Sequence, residues 1–228
     1  MAPTMTSRGV DPALEAPSAE ALTFLHADAS LLVVCKPAGL LSVPGRGAEK
    51  QDCVATRVRA AYSDALVVHR LDMATSGLML FARGSEVQRR LSQSFELRKI
   101  SKRYEAVVHG QVPVETGEIN LPLITDWPNR PLQKVDFEHG KPSLTRYSVK
   151  GRNLTQNNSR LLLEPVTGRS HQLRLHLREL GHPIWGDALY APPDVLALSP
   201  RLLLHASALR LSHPATDEPL QFDLAPPF

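Results

Sequence analysis

The chain has 228 residues, 43% hydrophobic and 21% charged, which is enough apolar material for one domain with a proper core. Lys and Arg total 26 against 23 Asp and Glu, a net charge of +3 that excludes histone-like electrostatics and leaves a local basic patch as the route to nucleic acid. Two cysteines, Cys35 and Cys53, exclude a disulfide scaffold and a four-cysteine zinc site; with no signal-peptide-like start and no run of 18 apolar residues, a soluble cytoplasmic protein is expected.

Residues 1–20 carry three prolines and no hydrophobic period, so they read as a flexible tail ahead of one domain over 21–228. Leu31-Leu32-Val33-Val34 is a short buried strand, turned by Lys36-Pro37-Ala38-Gly39. Asp52 to Tyr62, with Val54 and Val58 one turn apart, predicts a helix. Leu78 to Ala82 is a second apolar strand, and Thr75-Ser76-Gly77 before it reads as a tight polar turn. Ser85 and Gln88 have the spacing of a capping box for a helix that places Val87, Leu91 and Phe95 on one face. Tyr104 to His109 is a strand, and more strands are expected near 116–124, 133–138, 143–149 and 160–164, with a polar loop over Asn153 to Ser159. Ser170 to Leu180 alternates like a strand in part, but Leu173, Leu177 and Leu180 also fit one helical face. Ser170 as cap and Gly181 as stop favour a helix. Many strands with a few scattered helices predict an α+β domain on a mixed sheet.

Three segments carry candidate chemistry. His69-Arg70-Leu71-Asp72 sets a carboxylate beside an arginine in a loop between two apolar strands, where reacting groups commonly sit; a surface ion pair beside a turn has the same composition. Thr167-Gly168-Arg169-Ser170-His171-Gln172-Leu173-Arg174, if helical, aligns His171, Arg174 and Arg178 on one face. An arginine so placed can hold a carboxylate from elsewhere in the fold ionised, or can simply be solvated. Arg98 to Arg103 contains four cations in six residues and leads into Tyr104, a set that suits phosphates and a stacked base as well as a charged helix end. No phosphate-cradling Gly-rich loop, Gly-x-Ser-x-Gly elbow or His-x-x-x-His zinc pair is present, and Cys35 reads as a buried small hydrophobe.

These segments closely resemble the RluA family of pseudouridine synthases over roughly residues 22–228. His69-Arg70-Leu71-Asp72 with Thr75-Ser76-Gly77-Leu78, Lys102-Arg103-Tyr104 through Gly110, and Gly168-Arg169-Ser170-His171-Gln172-Leu173-Arg174 match three family motifs in order. Gly181-His182-Pro183-Ile184, Gly186-Asp187 and Leu203-Leu204-His205-Ala206 fit its C-terminal half. The resemblance implies an α+β pseudouridine synthase fold: a mixed, mostly antiparallel central sheet flanked by helices and loops, with an RNA-binding cleft and no N-terminal S4-like domain. It implies isomerisation of uridine within RNA with no cofactor and no metal. It assigns Asp72 as catalytic carboxylate, acting as nucleophile or base, Arg174 as its partner, and Tyr104 as the residue stacked on the uracil. It places Arg70 in the space left by the extruded nucleotide and brings His69, Thr75, Arg169, His171 and Gln172 to the substrate; the basic residues around Arg98 to Arg103, Lys102 among them, with Lys134 and Arg130, are the candidates for phosphate contacts. Leu40 to Arg46 and Asp126 to Pro131 resemble the family's dual-specificity branch, whose substrates are uridine 32 in tRNA anticodon stem-loops and uridine 746 in a 23S rRNA hairpin. A monomer is expected. The residues taken alone also leave room for a non-catalytic RNA-binding protein or a nucleic-acid glycosylase.

Overall fold

The computed structural model describes residues 22–228; the expected N-terminal tail lies outside the described residues. The chain opens with β1 (Thr23–Ala27) and β2 (Leu31–Lys36), an antiparallel pair. A loop then leads to α1 (Val54–Ala61), β3 (Ala65–Val67) and β4 (Ser76–Arg83). After α2 (Ser85–Glu96) come β5 (Ser101–His109), β6 (Thr116–Asn120), and the short pair β7 (Leu123–Thr125) and β8 (Gln133–Val135). β9 (Leu144–Asn153) and β10 (Asn158–Pro165) form a hairpin that feeds α3 (Gln172–Glu179), and α4 (Pro193–Leu196), β11 (Leu204–Ser212) and β12 (Pro219–Asp223) complete the fold.

The main sheet runs β1-β2-β4-β11-β5-β10-β9-β6, with β3 beside β4 and β12 beside β11; β7 and β8 form a separate two-stranded sheet. The β4–β11 pairing is parallel and the other ladders are antiparallel, so the expected mixed, mostly antiparallel α+β architecture is what the chain adopts.

Side-chain alternation explains why β2 and β4 read as continuous apolar runs. Leu32, Val34, Met79 and Phe81 point to one face and pack on Val54 and Val58 of α1. Leu31, Val33, Leu78, Leu80 and Ala82 point to the other and pack with Leu91 of α2 and with Leu209 and Leu211. A strand covered on both faces loses the polar half of its pattern. Farther along, Ala106, Val108, Leu161 and Leu163 meet Leu173 and Leu177 of α3 in a third cluster. That packing fixes the helix against the sheet, because leucines at i and i+4 share one face.

Several local expectations change. Ser76 and Gly77 are buried β4 residues, not a turn; the turn lies before them, closed by the Thr75 amide donating to the Asp72 carbonyl (3.1 Å). Gly77 is needed there: at φ +115° a Cβ would stand 2.3 Å from the Ala206 carbonyl oxygen on the parallel partner strand. Ser85 is not a side-chain cap, since Gly84 occupies the cap position and Gln88 Nε2 donates to the Val67 carbonyl instead. Ser170 does not cap α3 either, because the helix starts one residue later, behind His171. The strand expected over 116–124 is split at Leu121-Pro122, where proline cannot donate to a ladder. Cys35 is half-buried, whereas Cys53 is fully buried and caps α1 by accepting from the Thr56 amide.

Candidate active site

A cleft of about 820 Å³ opens between the loop before β4, the α2–β5 junction, the end of β10 and the start of α3. Of the residues singled out in the sequence, Asp72, Tyr104, Arg174, Arg70, His69, Thr75, Arg169, His171, Gln172 and Lys102 line it. Arg130 does not: it stacks on Trp127 at 4.6 Å in the lobe built on β7 and β8.

Asp72 sits on a loop held from beneath. Lys36, fully buried at the end of β2, donates from Nζ to the carbonyls of Pro37 (2.8 Å), Met73 (2.8 Å) and Thr75 (2.7 Å). Burial pulls its ammonium down to about 7 from the ordinary lysine value, and the Asp72 charge opposes that shift. Ser42 Oγ donates to the Leu71 carbonyl (2.6 Å) and accepts from the Leu71 amide (3.0 Å). The Gly39 amide donates to the Met73 carbonyl (2.9 Å). His69 Nε2 accepts from the Leu80 amide (2.8 Å), and its ring lies 4.8 Å from that of Phe95. Burial, assisted by Lys102, pushes that imidazole down to about 3, so it is a neutral acceptor tying the loop to β4.

Asp72 is 27% exposed at the side chain and faces the cleft with a different partner on each oxygen. Arg174 Nη1 is 3.6 Å from Oδ2 and His171 Nε2 is 3.9 Å from Oδ1. The sequence pointed to Arg174 as the partner of this carboxylate, but its tighter bonds go elsewhere. Nε donates to Asp187 Oδ2 at 2.8 Å and Nη2 to Asp187 Oδ1 at 2.5 Å, with Arg174 and Asp187 only 4% and 1% exposed. Asp187 Oδ1 also accepts the amides of Leu189 (2.9 Å) and Tyr190 (3.2 Å). A bidentate, desolvated fork of this kind fixes the guanidinium plane and leaves Nη1 aimed at Asp72.

Gln172 spends its polar atoms inside the protein: Oε1 accepts from Thr167 Oγ1 (2.7 Å) and the Arg169 amide (3.0 Å), while Nε2 donates to the Leu144 carbonyl and Thr145 Oγ1 at 3.0 Å each. It shapes the turn that presents Arg169 and His171. Tyr104, on β5, projects into the cleft, where burial and then the Asp72 charge push its phenol well above the ordinary value, so it stays neutral. Lys102 is held below its usual value by burial. Among the described residues Arg70, Arg98, Lys102 and Arg169 have no carboxylate partner, whereas Arg146 at the same cleft is paired with Glu118 (2.8 Å), and Glu164 of its lining is paired with Arg103 (2.7 Å). Free cations around one carboxylate suit a polyanion carrying a group to be acted on.

Four functional side chains escaped the residue-level reading: Lys36, Ser42, Asp187 and Tyr190. A lysine closing an apolar run was the available signal for the first. No spacing rule connects the others to Asp72, because they approach it only in three dimensions.

The family model described as RNA pseudouridylate synthase matches residues 30–179, a segment that includes Asp72, Tyr104 and Arg174. The dual-specificity RNA pseudouridine synthase RluA of Pasteurella multocida is 51% identical over 207 residues, covering 91% of this chain and 94% of its own length. The protein of the same name from Escherichia coli strain K12 is 49% identical over 201 residues, covering 88% and 91%. Among solved structures, human RNA pseudouridylate synthase domain containing 1 superposes with a TM-score of 0.77 at 28% identity, covering 94% of this chain and 87% of that one. The chain therefore belongs to the RNA pseudouridylate synthase family, isomerases that convert uridine to pseudouridine within RNA.

Proposed function

We propose that the chain carries out this isomerisation through Asp72, on uridines in a tRNA anticodon stem-loop and in a 23S rRNA hairpin. The observation that carries the role of Asp72 is its placement: of the carboxylates that line the cleft, Asp72, Glu96 and Glu164, it is the one with a donor facing each oxygen, and unpaired cations surround it. The two-RNA specificity is supported by the 49–51% identity to relatives named for dual specificity.

In the reaction the bond between uracil N1 and ribose C1′ breaks, the uracil turns, and a bond forms between C5 and C1′. The proton on C5 is released and N1 takes one up, so nothing is oxidised or reduced. Asp72 supplies the charged oxygen to the ribose–uracil unit. Arg174, locked by Asp187, keeps that oxygen oriented without displacing it, since it stands 3.6 Å away. Tyr104 offers the uracil a neutral aromatic face and a hydroxyl that can donate. A stacked uridine cannot reach Asp72, so the nucleotide is extruded at a cost of a few kcal/mol. Arg70, exposed beside Asp72, is placed to enter the vacated position, where its planar guanidinium can stack and hydrogen-bond.

The test is tritium release from [5-³H]uridine in each stem-loop, with wild type and Asp72→Asn. Label released to water by wild type alone, with no free uracil, is the expected result. Free uracil would make the enzyme a glycosylase, and release by Asp72→Asn at the wild-type rate would remove Asp72 from the chemistry. No release from either RNA would refute the substrate assignment.

A further inference from the structure

His171 and Tyr190 form a contact that the reaction as described above does not use. Tyr190 is 5% exposed and its hydroxyl oxygen lies 2.8 Å from His171 Nδ1. The same oxygen accepts the Gln133 amide from β8 at 2.9 Å. An amide can only donate, so the phenol keeps its own proton for another acceptor, and the structure offers His171 Nδ1. If Nδ1 carried a proton instead, the Tyr190 O–H would be buried with no acceptor, a costly arrangement. The bonding therefore fixes the neutral imidazole with its proton on Nε2, the nitrogen that stands 3.9 Å from Asp72 Oδ1.

The Tyr190 ring serves the other oxygen as well. Arg174, whose Nη1 faces Asp72 Oδ2, lies over that ring at 5.2 Å, and the His171 ring meets it edge-on at 5.6 Å and 79°. The Tyr190 amide is itself held by Asp187, the carboxylate that grips Arg174. His171 is in the left-handed region at φ 55°, a conformation that a residue with a side chain holds only where its surroundings impose it.

We propose that Tyr190 is a positioning residue for the reacting carboxylate: its hydroxyl sets the His171 tautomer, so that His171 Nε2–H and Arg174 Nη1–H address opposite oxygens of Asp72. The inference rests on the reading that Asp72 reacts. It explains how two donors flank the carboxylate while only one, Arg174, need be charged. Burial holds the His171 imidazole below its ordinary value; Asp72 opposes that shift, Arg174 supports it, Asp187 opposes it and Arg70 supports it. A gap of 3.9 Å closes to a hydrogen bond by a small rotation, as catalytic contacts do when substrate enters.

Tyr190→Phe keeps the ring against Arg174 and His171 and removes the hydroxyl alone. Nitrogen-15 NMR of the wild-type imidazoles reads the tautomer directly: His171 protonated on Nε2 is expected, and a proton on Nδ1 overturns the proposal whatever the variants do. In Tyr190→Phe that tautomer should become mixed, kcat should fall by about tenfold, and KM for the stem-loop should stay within about twofold. His171→Ala should lose a similar factor, and the double variant should lose little more than either single one. Wild-type kcat in Tyr190→Phe, or losses that multiply in the double variant, would also overturn it. Failure of the underlying reading shows separately: Asp72→Asn would then retain turnover, while the tautomer measurement would be unaffected.

Discussion

Replacing Asp187 with asparagine tests whether the arginine opposite Asp72 is held by a buried fork or is merely near one. The side chain is almost unchanged in shape, and Oδ1 can still accept the Leu189 and Tyr190 amides. What changes is the charge, together with one of the two oxygens bonded to Arg174, which becomes an amide nitrogen facing a guanidinium that is 4% exposed. Leaving one member of a buried ion pair uncompensated costs about 3–5 kcal/mol. Asp72 offsets part of this from 3.6 Å, which puts the expected loss near the lower end, about 3 kcal/mol. With a urea m-value of roughly 2–3 kcal/mol/M for a chain of this size, the unfolding midpoint should move down by about 1 M. Urea titration followed by circular dichroism measures this. Turnover should also fall, because the guanidinium is free to swing onto Asp72 and pair with it directly. The double variant Asp187→Asn, Arg174→Met should regain much of the stability and none of the activity, since it removes the uncompensated guanidinium and keeps an acceptor for the Leu189 and Tyr190 amides. A midpoint shift below about 0.3 M in Asp187→Asn would place the pair among ordinary surface bridges and refute the reasoning.

Other perturbations follow from the same structure. Lys36→Met should destabilise the fold by roughly 3 kcal/mol or more by orphaning three loop carbonyls, and should speed amide exchange at Thr75 and Gly39; an unchanged melting temperature would refute the bracing role. Gly77→Ala should prevent stable folding, because the added methyl meets the Ala206 backbone at φ +115°; a soluble variant with a wild-type melt would contradict the β4–β11 geometry. Stability should fall on acidification from pH 7 to 5. His69 and His205 stay neutral in the fold down to about 3 and about 4, while unfolded histidines protonate near 6.5. The unfolded chain thus binds more protons across that window, so this contribution is fully present above 6.5 and is lost at up to about 1.4 kcal/mol per pH unit for each group as pH falls. A urea midpoint flat from pH 7 to 5 would argue against both. RNA binding should weaken steeply with salt, and Arg98→Ala or Arg169→Ala should each flatten the log–log slope by roughly one phosphate contact, about 0.7 for a single strand; slopes unchanged from wild type would remove those residues from the interface.

The amino-acid sequence by itself determined the fold class and the ends of the site. Apolar runs such as Leu31–Val34 and Leu78–Ala82 have no other use than a sheet covered on both faces, and the three motifs carrying Asp72, Tyr104 and Arg174 are contiguous enough to be recognised in order. Cap assignments at Ser85 and Ser170 failed because Gly84 and the left-handed His171 take the cap positions, so each helix is entered through a positive-φ residue with no side-chain cap. The Thr75–Gly77 turn failed because the parallel partner β11 arrives from 129 residues away, bonding His205 Nδ1 to Ser76 Oγ. Only the tertiary structure decided what Arg174 holds, since Asp187 and Asp72 reach it from opposite directions along the chain. It alone also decided that Lys36, Ser42 and His69 are the frame of the Asp72 loop. Those contacts are buried polar bonds between distant segments, and a one-dimensional pattern records burial and period but not which donor meets which acceptor.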